Sequence, residues 1–383
     1  MKQIVALLIF VCSTYASAVD ITKLNQIETI EVVHKGFKEP LTYHVTLPQS
    51  YSTKSDKTYF VLFDLHPRSQ TFISGMQDWL SHNGEWPWLE TIIVNPADYH
   101  AEFATVFNDL VQQPDNQTIL DILQNGVLTQ VDKRYRTNGF RIYTGFMGNG
   151  ALGIYTLLNR PSMFDAYIIS SPSLNDNFAN VMSDASDKLA QPYDGIKTLY
   201  MSIGDHGYEK SHVDEFKQFK ALLSEKATTQ LHWTADFDEK HYYMSRPIIS
   251  LVNGIEVLFD DIHSNLPADS DISQRGADDI IEYYQTLSRE KYGFEISAEG
   301  SLKNLAKTKE PKEALAIYQK TAELYPDSAY AHASLAKAYA DMGNIEKAIE
   351  VQTVALEKSR TMVLWHQNQH QKYLDEFKAM LNE

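Results

Sequence analysis

The sequence predicts an α/β fold with a doubly wound, mostly parallel sheet, followed by an all-α module. Short apolar or alternating segments recur between helical segments over residues 19–263, which is the pattern of strands joined by crossover helices. Residues 264–278 are rich in Ser, Asp, Asn and Pro, as expected of an exposed linker. From residue 279 to 383 the pattern is helical throughout, so these ranges are the predicted units.

Composition and charge narrow the function classes. Of the 383 residues 43% are hydrophobic and 22% charged, which is typical of globular proteins. The formal net charge of -16 argues against binding through nucleic-acid phosphates. No segment after the first twenty residues is long and apolar enough to span a bilayer.

Residues 1–18 have the features of a cleavable signal peptide. Lys2 precedes the short apolar run Ile4–Cys12, and Ala16–Ala18 has the A-x-A form of a cleavage site. We therefore expect a periplasmic or secreted protein. Cys12 is the single cysteine and would leave with the signal, so the mature chain has no disulfide and must be stabilised by its core.

The strands follow from apolar patterning. Alternation over Ile27–Val33 and Leu41–Leu47 predicts an antiparallel hairpin. Continuous apolar runs predict buried strands at Tyr59–Asp64, Ile92–Asn95, Ala166–Ser170 and Thr198–Ile203, with a last short strand at Leu231–Phe237. Helical periodicity marks Thr118–Tyr135 and Glu215–Lys226.

The stretch Arg141–Gly150 organises the predicted sheet. A β-branched and aromatic lead-in, a glycine-dense turn and the apolar run Ala151–Leu158 together predict strand, turn and helix. This is the setting of the nucleophile elbow G-x-S-x-G. Met147 stands where that pattern has its serine.

One edge of the sheet is the predicted site. Asp64, Met147, Asp205 and His241 each come just after a predicted strand. Ligands of doubly wound sheets bind at the carboxyl ends of the strands, so one site can gather these residues. His206, His212 and His241 lack metal-ligand spacing, and we predict neither a metal nor a cofactor.

The C-terminal module has a 34-residue register that relates Ala314 to Ala348. Pro326 ends the first block, and the second block places small or apolar residues where tetratricopeptide repeats pack: Leu335, Ala336, Tyr339, Gly343, Ala348 and Ala355. The module therefore resembles tetratricopeptide repeats, and a generic helical hairpin is the alternative. A protein partner is expected for such a module.

Several motifs in order make residues 25–260 resemble the esterase D-like and enterochelin esterase-like group of α/β-hydrolases. The motifs are Tyr59–Asp64, Leu128–Thr137, Arg141–Gly150, Pro161–Phe164, Ser171–Leu174 and the segment from His241 to Phe259. The resemblance implies an α/β-hydrolase fold and hydrolysis of carboxylic esters by a Ser–acid–His triad.

The resemblance also implies roles for individual residues. His241 matches the triad histidine, and Asp205 or Glu209 the acid, with Glu209 preferred. The backbone N–H groups of Gly148 and Leu65 match the oxyanion-hole donors. The serines of Ser170–Ser173 are interpreted as strand-end structure.

The substituted nucleophile leaves three hypotheses. A thioether has no proton to lose and forms no acyl-enzyme, so Met147 indicates an inactive or impaired esterase homologue that binds a small ester-like ligand or a protein. A hydrolase that activates water through His241 beside a preserved oxyanion hole is the second. An interaction protein with the hydrolase unit as scaffold is the third.

Overall fold

A computed structural model describes residues 26–54, 56–81 and 89–381 of the chain. The predicted signal peptide at residues 1–18 lies outside the described residues. Among those described, no helix is long and apolar enough to cross a membrane.

The sheet is built from strands whose bounds lie close to the apolar patterns of the sequence. In chain order they are β1 (Gln26–Val32), β2 (Leu41–Leu47), β3 (Tyr59–Asp64), β4 (Ile92–Pro96), β5 (Thr137–Phe146), β6 (Ala166–Ser170), β7 (Lys197–Ile203) and β8 (Leu231–Phe237).

Within the described ranges these strands form one sheet in the order β1-β2-β4-β3-β5-β6-β7-β8. The pairs β1–β2 and β2–β4 are antiparallel, and every pair from β4 to β8 is parallel. The predicted hairpin and the predicted mostly parallel sheet are therefore confirmed. Since β3 and β5 to β8 run in the same direction, their carboxyl ends meet at one edge of the sheet.

The helices connect the strands and then form the C-terminal part of the chain. In order they are α1 (Ser69–Ser81), α2 (Ala101–Gln112), α3 (Thr118–Asp121), α4 (Thr129–Arg134), α5 (Gly148–Asn159), α6 (Val181–Leu189), α7 (Val213–Lys226), α8 (Arg246–Leu258), α9 (Asp260–His263), α10 (Asp271–Arg275), α11 (Ala277–Leu287), α12 (Glu299–Ala306), α13 (Pro311–Leu324), α14 (Ala329–Asp341), α15 (Ile345–Lys358) and α16 (Leu364–Leu381). A π-helical turn, Ile122–Leu128, joins α3 to α4.

Side chains of each central strand alternate between two apolar layers, as a pleated strand requires. Val61 and Phe63 of β3 belong to the layer that holds helices α3 to α7. Phe60 and Leu62 belong to the other layer, with α1 and α8. Both faces of the sheet are thus covered, which explains why its strands are apolar without interruption.

The second layer also contains the first helices of the C-terminal part. Ile280 and Tyr284 of α11 and Leu302 of α12 are buried in the same cluster as Phe60 and Leu258. These helices therefore complete the core of the sheet. The predicted linker range 264–278 contains α10 and the start of α11, and the boundaries of the units stay a prediction.

Polar contacts strengthen this junction. The Lys291 ammonium donates to Asp261 Oδ2 at 2.6 Å and to the Leu258 carbonyl at 3.0 Å. The Tyr292 hydroxyl donates to the same carbonyl at 3.0 Å. Carbonyls at a helix C-terminus have no partner within the helix, so the chain after α11 caps α8.

The remaining helices have a small core of their own. Ala322, Leu335, Ala336, Ala348, Val351 and Phe377 form it. Alanine at the contacts between α14 and α15 lets the helix axes approach closely. Gly343, in the turn between them, has a φ of +78°, a conformation that favours glycine.

A substitution tests whether α12 stabilises the sheet. Leu302 is 1% exposed, whereas Leu364 at the start of α16 is 69% exposed. We expect Leu302→Ala to lower the free energy of unfolding by about 2–5 kcal/mol because it removes buried contacts and leaves a cavity. The control Leu364→Ala should change it by less than about 0.5 kcal/mol. Urea unfolding followed by circular dichroism measures both, and equal small effects would contradict the shared core.

Candidate functional site

Met147 forms a sharp turn between β5 and α5. Its φ is 54° and its ψ is -119°, which is strained for any residue with a side chain. The Met147 N–H donates to the Ser170 carbonyl at 3.1 Å, and the Met147 carbonyl accepts from the N–H of Ser173 at 3.2 Å. Neighbouring strand ends therefore hold the turn in the geometry that an elbow nucleophile needs.

Close packing around the turn explains its glycines. A Cβ at Gly145 would lie 2.7 Å from the Asn149 carbonyl oxygen, and one at Gly153 would lie 2.6 Å from the Tyr143 ring. The buried Tyr143 hydroxyl donates to the Asn149 carbonyl at 2.7 Å. Gly148 differs, since a Cβ there would meet only Phe107, at 3.6 Å.

The loop after β3 carries the second predicted oxyanion donor, Leu65. Asp64 Oδ1 accepts from the His66 N–H and from the Ser69 hydroxyl, each at 2.7 Å. Asn95 in turn donates to Ser69 Oγ at 2.8 Å. These bonds fix the backbone on both sides of Leu65. Gly148 and Leu65 as oxyanion donors stay a prediction.

His241 is paired with a carboxylate that sequence reasoning did not select. Its Nδ1 lies 2.7 Å from Asp238 Oδ2, and its side chain is 46% exposed. Asp205 instead pairs with His206 at 2.9 Å. The histidine therefore has an orienting acid three residues before it in the chain, and the signal for it is the Asp-x-x-His spacing after a predicted strand.

Glu209, the preferred acid, is fully buried and has other partners. It is paired with Arg246, whose Nη2 donates to Oε2 at 3.0 Å and whose Nε donates to Oε1. The Ser171 hydroxyl donates to Oε1 at 2.5 Å. The triad-acid role of Asp205 or Glu209 stays a prediction. Asp238 is the carboxylate that contacts the histidine.

Arg246 links these groups. Its Nη1 donates to Asp238 Oδ2 at 3.0 Å, and its Nη2 donates to the His241 carbonyl at 2.7 Å. The pKa of Asp238 is lowered: burial acts to raise it, but the hydrogen bonds from His241 and Lys240 and the Arg246 charge outweigh burial. Asp238 is therefore ionised at neutral pH.

Aromatic side chains surround this edge of the sheet. Tyr243 stacks on Phe146, which precedes Met147, with ring centroids 6.5 Å apart. Tyr242 and Tyr208 contact Tyr243 at 4.6 Å and 5.7 Å. Tyr208 is 71% exposed, so apolar surface is open beside the elbow. Periodicity gave no signal for this group, because its members come from the end of β5 and from the separate segments after β7 and β8.

The donor set does not indicate a metal centre. No group of three or more His, Cys, Asp or Glu among the described residues is placed to hold a metal ion. The side chains described at this edge of the sheet include the His241–Asp238 pair, the Arg246–Glu209 pair and the aromatic rings.

The fold is shared with solved structures. An uncharacterised protein from Capnocytophaga ochracea DSM 7271 aligns with a TM-score of 0.65 at 13% identity, over 92% of this chain and 100% of its own. An IroE-like serine hydrolase from Shewanella oneidensis aligns with a TM-score of 0.57 at 19% identity, over 78% and 98% of the two chains. The BES protein from Bacillus cereus aligns at 0.51 and 17% identity, over 60% and 94%.

These similarities confirm the predicted resemblance to esterase-type α/β-hydrolases at the level of the fold. The tetratricopeptide repeat family matches residues 305–359, which confirms the predicted repeat-like module. No curated protein matches the sequence.

The buried carboxyl beside Leu65 gives a pH prediction. Burial raises the pKa of Asp64 to about 6, although hydrogen bonds from Ser69 and His66 act to lower it. Since this folded-state pKa exceeds the unfolded value of about 3.9, the folded state binds more protons between roughly pH 4 and pH 6. The contribution of Asp64 to stability is therefore present below pH 4 and is lost as the pH rises through 6.

We expect Asp64→Asn to remove this pH-dependent loss of folding stability. The loss amounts to about 3 kcal/mol at most, since the pKa of Asp64 is raised by roughly two units. Asparagine keeps an oxygen that can accept from His66 and Ser69. Urea unfolding of both proteins from pH 4 to pH 8 measures the difference in slope. Parallel pH profiles would show that Asp64 does not titrate in this window.

Proposed function

We propose that the chain is an esterase-fold protein that binds a small ester-like ligand at its elbow and forms no acyl-enzyme. The observation that carries this proposal is Met147 at the strained turn. The backbone keeps the position at which a hydrolase presents its nucleophile, but a thioether has no proton to transfer and gives no acyl intermediate.

The nearby Ser171 does not supply a substitute. Ser171 is fully buried, and its hydroxyl donates to Glu209. Both Glu209 oxygens accept hydrogen bonds from the Arg246 guanidinium, so this carboxylate is already engaged where Ser171 contacts it. A nucleophile must reach an acyl carbon, and a buried serine cannot.

The groups that remain are suited to binding. His241 has its Nδ1 paired with Asp238 and is about half exposed. Backbone N–H groups at the start of α5 are able to donate to a carbonyl oxygen of a ligand. Tyr208 and Tyr243 add aromatic surface, which suits an apolar acyl or alcohol group.

Hydrolysis by water activation is a second candidate, favoured by the His241–Asp238 pair. An imidazole oriented by a carboxylate is able to take a proton from water as a general base. This mechanism needs no nucleophile at position 147. It predicts measurable turnover by the natural protein that depends on His241.

The helical module supports an additional binding role. Tetratricopeptide-like helices present extended surfaces to other proteins, and the family matches residues 305–359. We propose a protein partner for this part of the chain. Export is proposed from the signal features of residues 1–18.

Restoring the nucleophile tests the proposal. We expect the natural protein not to hydrolyse short-chain p-nitrophenyl esters above the protein-free rate. Met147→Ser should raise the rate at least about tenfold, because the hydroxyl returns to a formed elbow at the sheet edge that also carries an oriented histidine. Initial rates measured spectrophotometrically at pH 7–8 provide the readout.

Two variants control this experiment. Met147→Ala removes the thioether without adding a nucleophile and should stay inactive. Adding His241→Ala to Met147→Ser should remove the gained activity. Turnover by the natural protein that His241→Ala abolishes would contradict ligand binding alone and support the water-activating hydrolase.

A further inference from the structure

The Arg246 guanidinium occupies an unusual position for a buried charge. Its side chain is fully buried, as is that of Glu209, whereas that of Asp238 is 21% exposed. The guanidinium donates to both carboxylates and to the His241 carbonyl. The guanidinium makes these four hydrogen bonds from one planar fork, whereas a lysine ammonium has three donors and no fork.

The chain makes room for this fork at Gly204. A Cβ on Gly204 would lie 2.1 Å from Arg246 Nη2 and 2.6 Å from the Asp238 carbonyl oxygen. Gly204 follows β7, and the backbone there contacts the guanidinium directly. A side chain at this position must therefore displace Arg246, the Asp238 backbone or both.

The same contacts determine the protonation of His241. An ionised carboxylate only accepts hydrogen bonds, so the 2.7 Å contact with Asp238 Oδ2 requires that His241 Nδ1 carries the proton. In the neutral imidazole, Nε2 is then the acceptor. Within the described residues Nε2 has no hydrogen-bond partner.

We propose that Arg246 is a positioning residue that holds neutral His241 as the Nδ1–H tautomer. It does so at two points, since it binds the Asp238 oxygen that accepts from Nδ1 and the backbone carbonyl of His241 itself. Glu209 offsets the charge of the buried guanidinium, while the contacts with Asp238 and with the His241 carbonyl are made by Arg246 Nη1 and Nη2. Glu209, in the segment after β7, thus contacts Arg246, whereas Asp238 contacts the histidine.

The His241 tautomer limits which ligand groups the histidine can bind, and this step rests on the proposed function. A free Nε2 acceptor binds a hydroxyl or N–H donor. The ligand of the site is therefore expected to carry such a donor close to its acyl group. The orientation of His241 itself is independent of any ligand or turnover.

Imidazole ¹⁵N spectra test the positioning role on the full chain labelled with ¹⁵N-histidine. We expect the natural protein at pH 8 to show His241 as the Nδ1–H tautomer, and Asp238→Ala to shift it toward Nε2–H. Gly204→Ala, which crowds both the guanidinium and the Asp238 carbonyl without changing a charge, should give the same shift. Arg246→Lys is the second variant, because it keeps the charge and loses the fork.

Two controls separate positioning from general loosening. Gly75 lies in α1, and a Cβ added there would have nothing within 4 Å. Gly75→Ala should therefore leave the His241 tautomer unchanged. Glu209→Gln should lower stability but leave Nδ1–H in place, because Arg246 keeps Asp238 and the His241 carbonyl. Circular dichroism identifies any variant that fails to fold, and the conclusion is taken from the others.

The outcomes separate this inference from the proposed function. If Asp238→Ala shifts the tautomer but Gly204→Ala and Arg246→Lys do not, Arg246 does not position His241. If Glu209→Gln shifts it as much as Gly204→Ala, the effect is loosening and the inference also fails. Ester turnover by the natural protein would overturn ligand binding alone without affecting the tautomer result.

Discussion

The strained backbone turn at Met147 is the constraint on which the rest of the site depends. A φ of 54° is tolerated only because the surroundings determine it, through the hydrogen bonds to Ser170 and Ser173 and the close approach of Gly145 to α5. Strain of this kind is usually kept for function. Here the turn is preserved although its residue cannot act as a nucleophile. The proposed ligand binding rests on this geometry and on the side chain that occupies it.

Two layers of packing support that turn. The sheet places the ends of β3, β5, β7 and β8 at one edge, and helices α11 to α13 complete the core behind it. The C-terminal helices consequently contribute to the stability of the catalytic-type fold as well as carrying repeat-like surfaces. At the edge, Arg246 joins the segments after β7 and β8 through buried ion pairs. Removing one partner of such a pair leaves a buried charge, which is strongly destabilising.

Sequence patterns predicted the sheet well because continuous apolar runs such as Tyr59–Asp64 and Ala166–Ser170 have few alternative structures. Helix α1 was not predicted, since Ser69–Ser81 is rich in residues of low helix propensity and depends on packing of Ile73 against the sheet. The elbow was identified from its glycines. The pairing of His241 with Asp238 is local in sequence, so the sequence alone could have predicted it. The burial of Glu209 against Arg246 could not be predicted in this way, because it depends on contacts between distant segments.

The loss of acyl-enzyme chemistry is tested most directly by measuring whether any serine in the natural protein reacts as a nucleophile. A fluorophosphonate reagent phosphonylates an activated serine hydroxyl and adds a defined mass, which intact-protein mass spectrometry detects. We expect no adduct on the natural protein and one adduct per chain on Met147→Ser, which would show that the reagent reaches the elbow. A single adduct on the natural protein, mapped to Ser171 or another serine, would contradict the claim that the fold has lost acyl-enzyme chemistry.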